Sequence, residues 1–231
     1  MLFLAVLLNF LALLTNGDGR SPLGSEFVLP TSGNDSATIS VDFPGCVATA
    51  LSRSERIPIF LITRDRLVVL KKMIQSLFDR LGTPFDLILV DNNSTYPDTV
   101  EYLNELQRSG VAQVWRDPVV TGVHWDSVTA KVNSALAWYR EHHPGVQFYA
   151  VSDPDLSLRG CAPDLLTFFA ALLKACPSVH AIGPSLRLSN IPDSYPLKKT
   201  VMSKQTMFWG LPLKIAEWDN RFFSFVREFH V

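Results

Sequence analysis

Short apolar runs alternate with stretches of helical period from Ile57 to Leu186. Ile57–Ile62, Asp86–Val90, Val111–Trp115, Phe148–Ser152 and Val179–Leu186 read as strands, the last interrupted by Gly183-Pro184. Pro58 stands near the start of its run, where a missing N–H does least harm. Between the first two strands, Leu67, Leu70, Ile74, Leu77 and Phe78 recur at helical spacing until Gly82 and Pro84 stop them. A shorter helix from about Asp98 carries Val100, Leu103 and Leu106 and closes at Gly110. Val128, Val132, Leu136 and Tyr139 mark a third helix. Pro163 opens a fourth, with Leu165, Leu166, Phe168, Phe169, Leu172 and Leu173. This alternation predicts one α/β domain, a doubly wound and largely parallel sheet flanked by helices in the Rossmann-like manner.

Composition agrees with a packed domain. The chain has 231 residues, 47% hydrophobic and 19% charged, which allows a sizeable core and argues against global disorder. The 21 basic and 22 acidic residues leave a net charge of −1, so no basic footprint marks nucleic acid as a partner. Cys46, Cys161 and Cys176 match no zinc or redox spacing. Cys161 and Cys176 bracket a helix spanning roughly 22 Å. That is beyond disulfide reach, so any pair must include Cys46.

Leu2–Thr15 is apolar except for Asn9 and breaks into Asn16-Gly17-Asp18-Gly19. As a helix it would reach about 21 Å, short of the roughly 30 Å hydrocarbon core. Its length suits the apolar region of a signal peptide, with Thr15 and Gly17 as small residues before a cut, although the usual basic flank is missing. A short uncleaved membrane anchor and an ordinary buried strand or helix are the alternatives. The expected division is a signal peptide or short anchor over 1–16, a stem or linker over 17–56, and the α/β domain over 57–231. Residues 17–56 are rich in Ser, Gly, Pro, Thr and Asp without a sustained period. Asn34-Asp35-Ser36 is a glycosylation sequon in that stem. The expected location is the secretory pathway, in the ER or Golgi lumen, with the chain secreted or membrane-associated.

In a parallel sheet, ligands bind outside the carboxyl ends of the strands. The first strand ends in Thr63-Arg64-Asp65-Arg66, the second in Asp91-Asn92-Asn93-Ser94 and the fourth in Asp153-Pro154-Asp155. Each alone reads as an ordinary turn or a solvated surface. Together they put cationic groups, amides and carboxylates on one edge. Pro154 fixes its own φ and pushes Asp153 towards an extended conformation. Two stiffly held carboxylates repel unless a cation lies between them, and hard divalent ions prefer such oxygen ligands. No G-x-x-x-x-G-K-[ST] and no G-x-G-x-x-G phosphate loop is present. Asn92 and Asn93 also satisfy the sequon rule, but their place directly after a strand favours a role in the site.

Ile59–Leu67 with Leu70-Lys71-Lys72, Ile88–Thr95 and Asp153-Pro154-Asp155, together with Ile182–Leu188 and Ile191–Lys198, resemble family 2-like glycosyltransferases of the GT-A fold. The likeness is to a subgroup with a D-P-D metal motif, and it covers about residues 57–210. The resemblance implies transfer of a sugar from a nucleotide-diphosphate donor to a glycan, lipid or protein acceptor, with Mn2+ or Mg2+. It implies nucleotide-sugar contacts from Thr63, Arg64, Arg66, Asp91, Asn92, Asn93 and Asp153, and metal contacts from Asp153 and Asp155. Asp91 is expected at the mouth of the site, with its carboxylate turned to base or ribose and little part in stability.

The family continues beyond the segment around Trp209 into an acceptor half that supplies a carboxylate base, whereas this chain stops at Val231. The expectation is therefore a domain incomplete at its C-terminus. Its ending, Arg221–Val226, would expose many apolar residues. The alternatives are a degenerate, non-catalytic nucleotide-sugar-binding domain and a nucleotidyltransferase. The latter would favour a lysine- and glycine-rich first loop, unlike Thr63-Arg64-Asp65-Arg66.

Overall fold

The computed structural model describes residues 12–15, 56–120, 122–175, 181–184, 191–200, 202–203, 215–218 and 221–226. In chain order the elements are β1 (Ala12–Thr15), β2 (Ile57–Thr63), α1 (Leu67–Arg80), β3 (Phe85–Asp91), α2 (Pro97–Arg108) and β4 (Gln113–Trp115). There follow α3 (Trp125–His142), β5 (Phe148–Ser152), α4 (Leu165–Ala175), β6 (Ala181–Pro184), β7 (Ile215–Trp218) and β8 (Arg221–Val226). They build one sheet of order β4-β3-β2-β5-β1-β6-β8-β7. Strands β4, β3, β2 and β5 are mutually parallel, and β1 and β8 run against their neighbours.

The expected doubly wound α/β architecture is what the chain forms. Successive residues of β2 point to opposite faces, and both faces are covered. Ile57, Ile59 and Leu61 pack with Leu87, Leu89 and Ala150 against α1, α2 and α4. Phe60 and Ile62 pack with Ile88, Val90 and Val151 against Val128, Val132, Ala135, Leu136 and Tyr139 of α3. A strand buried on two sides needs apolar residues at every position, hence the unbroken runs in the sequence. Phe60, Leu70, Leu77 and Val132 are completely buried, each worth about 1.5–3 kcal/mol in area removed from water.

Element ends differ in detail from the sequence expectations. The helix expected from about Asp98 begins at Pro97, whose missing N–H is harmless in a first turn. The helix expected from Pro163 begins two residues later, at Leu165. The third strand is only Gln113–Trp115, because Val111 and Ala112 turn their N–H groups back onto Leu106 O at the end of α2. The last expected strand is seen as Ala181–Pro184, and residues 176–180 and 185–190 lie outside the described residues.

Two further segments join the sheet. Leu2–Thr15 was expected as a signal or anchor, with a strand among the alternatives, and its Ala12–Thr15 portion is a strand between β5 and β6. Residues 1–11 lie outside the described residues. No helix among the described residues is long and apolar enough to cross a membrane. Arg221–Val226, expected as uncovered apolar chain, joins the sheet as β8 between β6 and β7. The stem with its Asn34 sequon, Cys46 and Cys176 lie outside the described residues. The Cys161 thiol is free and is pushed upward in pKa by burial.

Candidate functional site

Strand register sets the site. Thr63 pairs with Asp91 across β2 and β3, and Leu61 pairs with Ser152 across β2 and β5. Thr63, Asp91 and Asp153 therefore share the carboxyl edge of the parallel strands, as the sequence predicts. The ladder runs one residue further, with Asn92 N–H donating to Thr63 O at 2.8 Å.

Thr63 is buried and its Oγ1 has no hydrogen-bond partner. An orphaned buried hydroxyl at a strand end requires a reason, and a bound ligand or water supplies one. Arg64 and Arg66 are exposed beside it. Asp65, between them, takes the left-handed conformation at φ 49°, which an Asp tolerates better than most residues. That turn aims its carboxylate across to the next loop. Asp65 accepts from Thr95 N–H and Tyr96 N–H at 2.7 Å each, and from Thr95 Oγ1 at 3.1 Å. Burial pushes the Asp65 carboxyl up in pKa, but these donors outweigh it and hold the group below the ordinary carboxylate value. Asp65 thus braces the start of α2, whose own N-cap, Tyr96, offers no side-chain cap.

Asp91 is engaged within the protein through both carboxylate oxygens. Its Oδ1 accepts from Ser94 N–H at 2.9 Å, and its Oδ2 accepts from Arg116 Nε at 3.0 Å. Arg116 follows β4 directly and also donates to Asn104 Oδ1 at 3.1 Å. The third strand therefore contributes to the edge as well. The sequence offered this signal, since Arg116 holds the same place after its strand as the other clusters do after theirs.

Asn92 and Asn93 are pinned by a residue that the sequence reading passed over. Lys131 is fully buried. Its Nζ donates to Asn92 Oδ1 at 2.9 Å, Asn93 Oδ1 at 3.0 Å and Gly122 O at 2.8 Å. An ammonium has three donors, and here all three are used. Asn93 is held at φ 58°, a cost that persists only where surrounding contacts fix it. Burial lowers the Lys131 pKa, with the charges of Asp91 and Asp117 working the other way. A Cβ at Gly122 would meet the Ser127 side chain, which would have to turn away. The overlooked signal was a lysine within the apolar stripe Val128–Val132–Ala135 of α3.

Asp153 and Pro154 are buried and Asp155 projects outward. Asp155 Oδ2 accepts from Arg66 Nη1 at 2.7 Å. Two residues expected to serve different parts of a ligand thus meet each other. The donor set suits a hard divalent ion, being carboxylate oxygen, and Asp155 already draws a cation to itself. Among the described residues no group of three or more His, Cys, Asp or Glu is placed to hold a metal. An ion here would need ligand oxygens to complete its shell. Two cavities, of ≈ 410 and ≈ 470 Å³, lie at the opposite, amino end of the strands, around Arg56, Asp86, Tyr139 and His143. They are remote from this polar edge.

No protein-family model and no curated protein matches the chain. Among solved structures there is a match to a mannosyltransferase from Pyrobaculum calidifontis in complex with GDP-Man and Mn2+. The two are 16% identical with a TM-score of 0.42, over 75% of this chain. The match spans 45% of that chain.

Proposed function

We propose that the chain is a glycosyltransferase domain that binds a nucleotide-diphosphate sugar with Mn2+ or Mg2+ at the carboxyl edge of β2, β3, β4 and β5. The observation that carries this reading is the meeting of Thr63, Arg66, Asp91, Asp153 and Asp155 at one edge, in the order of the resemblance to family 2-like glycosyltransferases, with Arg116 beside Asp91. In this reading the Asn92-Asn93 loop and Asp91 form the wall against base and ribose. Carboxylate oxygens accept more than one hydrogen bond, so Asp91 retains acceptor capacity beside Ser94 and Arg116. Arg64 and Arg66 offer charge to the phosphates.

Asp153 and Asp155 would hold the ion, which when bound neutralises the leaving diphosphate as a Lewis acid. A secretory location, with Asn34 glycosylated, belongs to the same proposal. The test is to incubate the purified chain with UDP- and GDP-sugars and Mn2+, and to measure release of nucleoside diphosphate with and without candidate glycan acceptors. Donor binding with release above the uncatalysed rate supports the transferase. Donor binding without release on any acceptor supports a binding module, and conversion of the donor with added pyrophosphate to nucleoside triphosphate and sugar 1-phosphate supports a nucleotidyltransferase.

A further inference from the structure

Arg66 and Asp155 lie 89 residues apart in sequence and meet at 2.7 Å. Arg66 is 57% exposed in its side chain and Asp155 27%. A pair so placed is screened by water and weakly held, so a stronger cation can take the carboxylate. Mg2+ coordinates such an oxygen at about 2.0–2.1 Å. An ion on Asp155 Oδ2 competes with the guanidinium for that oxygen and repels its charge.

A second feature says where the displaced charge can go. Helix α1 begins immediately after Arg66, with no side-chain cap and no acidic residue in its first turn. Its first-turn N–H groups and the positive end of its dipole therefore sit at the same edge without an anion of their own.

We propose that Arg66 is a placeholder cation. It neutralises Asp155 in the ligand-free chain, gives up that position to the divalent ion, and carries its charge onto the diphosphate oxygens. This rests on the metal-dependent donor reading above. The exchange links the two ligands. Metal alone must expel Arg66 before any phosphate is there to receive it. Metal and diphosphate together satisfy both groups, so each ligand favours the other by the same factor.

The test is calorimetric titration of Mn2+ alone, and of UDP or GDP with and without Mn2+, into the wild-type chain, Arg66→Gln and Asp155→Asn. Thermal melts establish that each variant is folded. Arg66→Gln should bind Mn2+ alone severalfold more tightly, because its competitor is gone. It should bind the diphosphate in Mn2+ about tenfold more weakly, with a correspondingly smaller coupling. Arg66→Lys, which keeps the charge, should stay nearer the wild type for Mn2+ alone. If Asp155→Asn loses Mn2+-dependent binding while Arg66→Gln matches the wild type, the exchange is wrong and the metal reading stands. If all three chains bind the diphosphate equally with and without Mn2+, both fall together.

Discussion

Arg116 Nε lies 3.0 Å from Asp91 Oδ2, and the Asp91 side chain is only 4% exposed. The second and third parallel strands are thereby tied at their carboxyl ends. Removing Asp91 would leave both the Arg116 guanidinium and the Ser94 N–H without this partner. Asp91→Ala is therefore expected to cost about 1–3 kcal/mol, since hydrogen bonds to charged groups are worth that much and Arg116 is partly in water. Denaturant unfolding measures it. A variant as stable as the wild type would contradict this bracing role.

Lys131 supports the neighbouring loop from beneath. Lys131→Met keeps much of the side-chain volume but removes all three donors to Asn92, Asn93 and Gly122. A loss of at least ~2 kcal/mol is expected, or a fall of roughly 2–4 °C in Tm per kcal/mol for a chain of this size. Nucleotide affinity should fall as well, although Lys131 is buried and touches no ligand in this account. Lost stability with unchanged nucleotide affinity would confine Lys131 to the core.

Acid should weaken the fold through three carboxylates. Burial raises Asp65, Asp86 and Asp117. Their hydrogen bonds outweigh it, from Tyr96 and Thr95, from Arg56 and Tyr139, and from Ser134, Val120 and Val119 respectively, and leave each pKa lowered. The native chain then binds fewer protons than the unfolded chain in the acid range. The stability they add is complete above about pH 4 and is lost as pH falls through their folded-state values. Asp86→Asn should be less stable than the wild type at neutral pH and should lose less on acidification to about pH 3. Parallel stability curves for the two chains would contradict this.

How much was legible depended on how local the cause was. The runs of β2, β3 and β5 are apolar because both sheet faces are covered, so periodicity alone gave the fold. The shared edge of Thr63, Asp91 and Asp153 then followed from parallel order. Lys131 was hidden because two of its three acceptors, Asn92 and Asn93, lie 39 and 38 residues away from it. Arg116 stood directly after its strand and was legible by the same rule as the other clusters. The pairing of β1 with β5 and β6, and of β8 with β6, cannot be read in an apolar run, because a strand's partner is not encoded in its own residues. Asp65 looked like one polar residue among several until its left-handed backbone turned it towards Thr95 and Tyr96.

The β1 pairing has its own consequence. Ala12–Thr15 exchanges backbone hydrogen bonds with Phe148–Val151 on one side and Ala181–Ile182 on the other. Deleting residues 1–16 leaves those backbone groups unpaired in the middle of the sheet. The shortened chain should melt at a lower temperature and expose an edge of β5 prone to association. An unchanged Tm and a monomeric shortened chain would show that β1 adds nothing to the sheet.

The central claim is that Asp153 and Asp155 join a divalent ion to the donor diphosphate. Titration calorimetry of a UDP- or GDP-sugar into the wild-type chain and Asp155→Asn, each with Mn2+ and with chelator, measures it most directly. The account predicts that Mn2+ strengthens donor binding to the wild type at least about fivefold, a typical size for coupling between sites, and that Asp155→Asn abolishes the gain. Equal donor affinity in all four titrations would contradict it and reduce Asp153-Pro154-Asp155 to a turn.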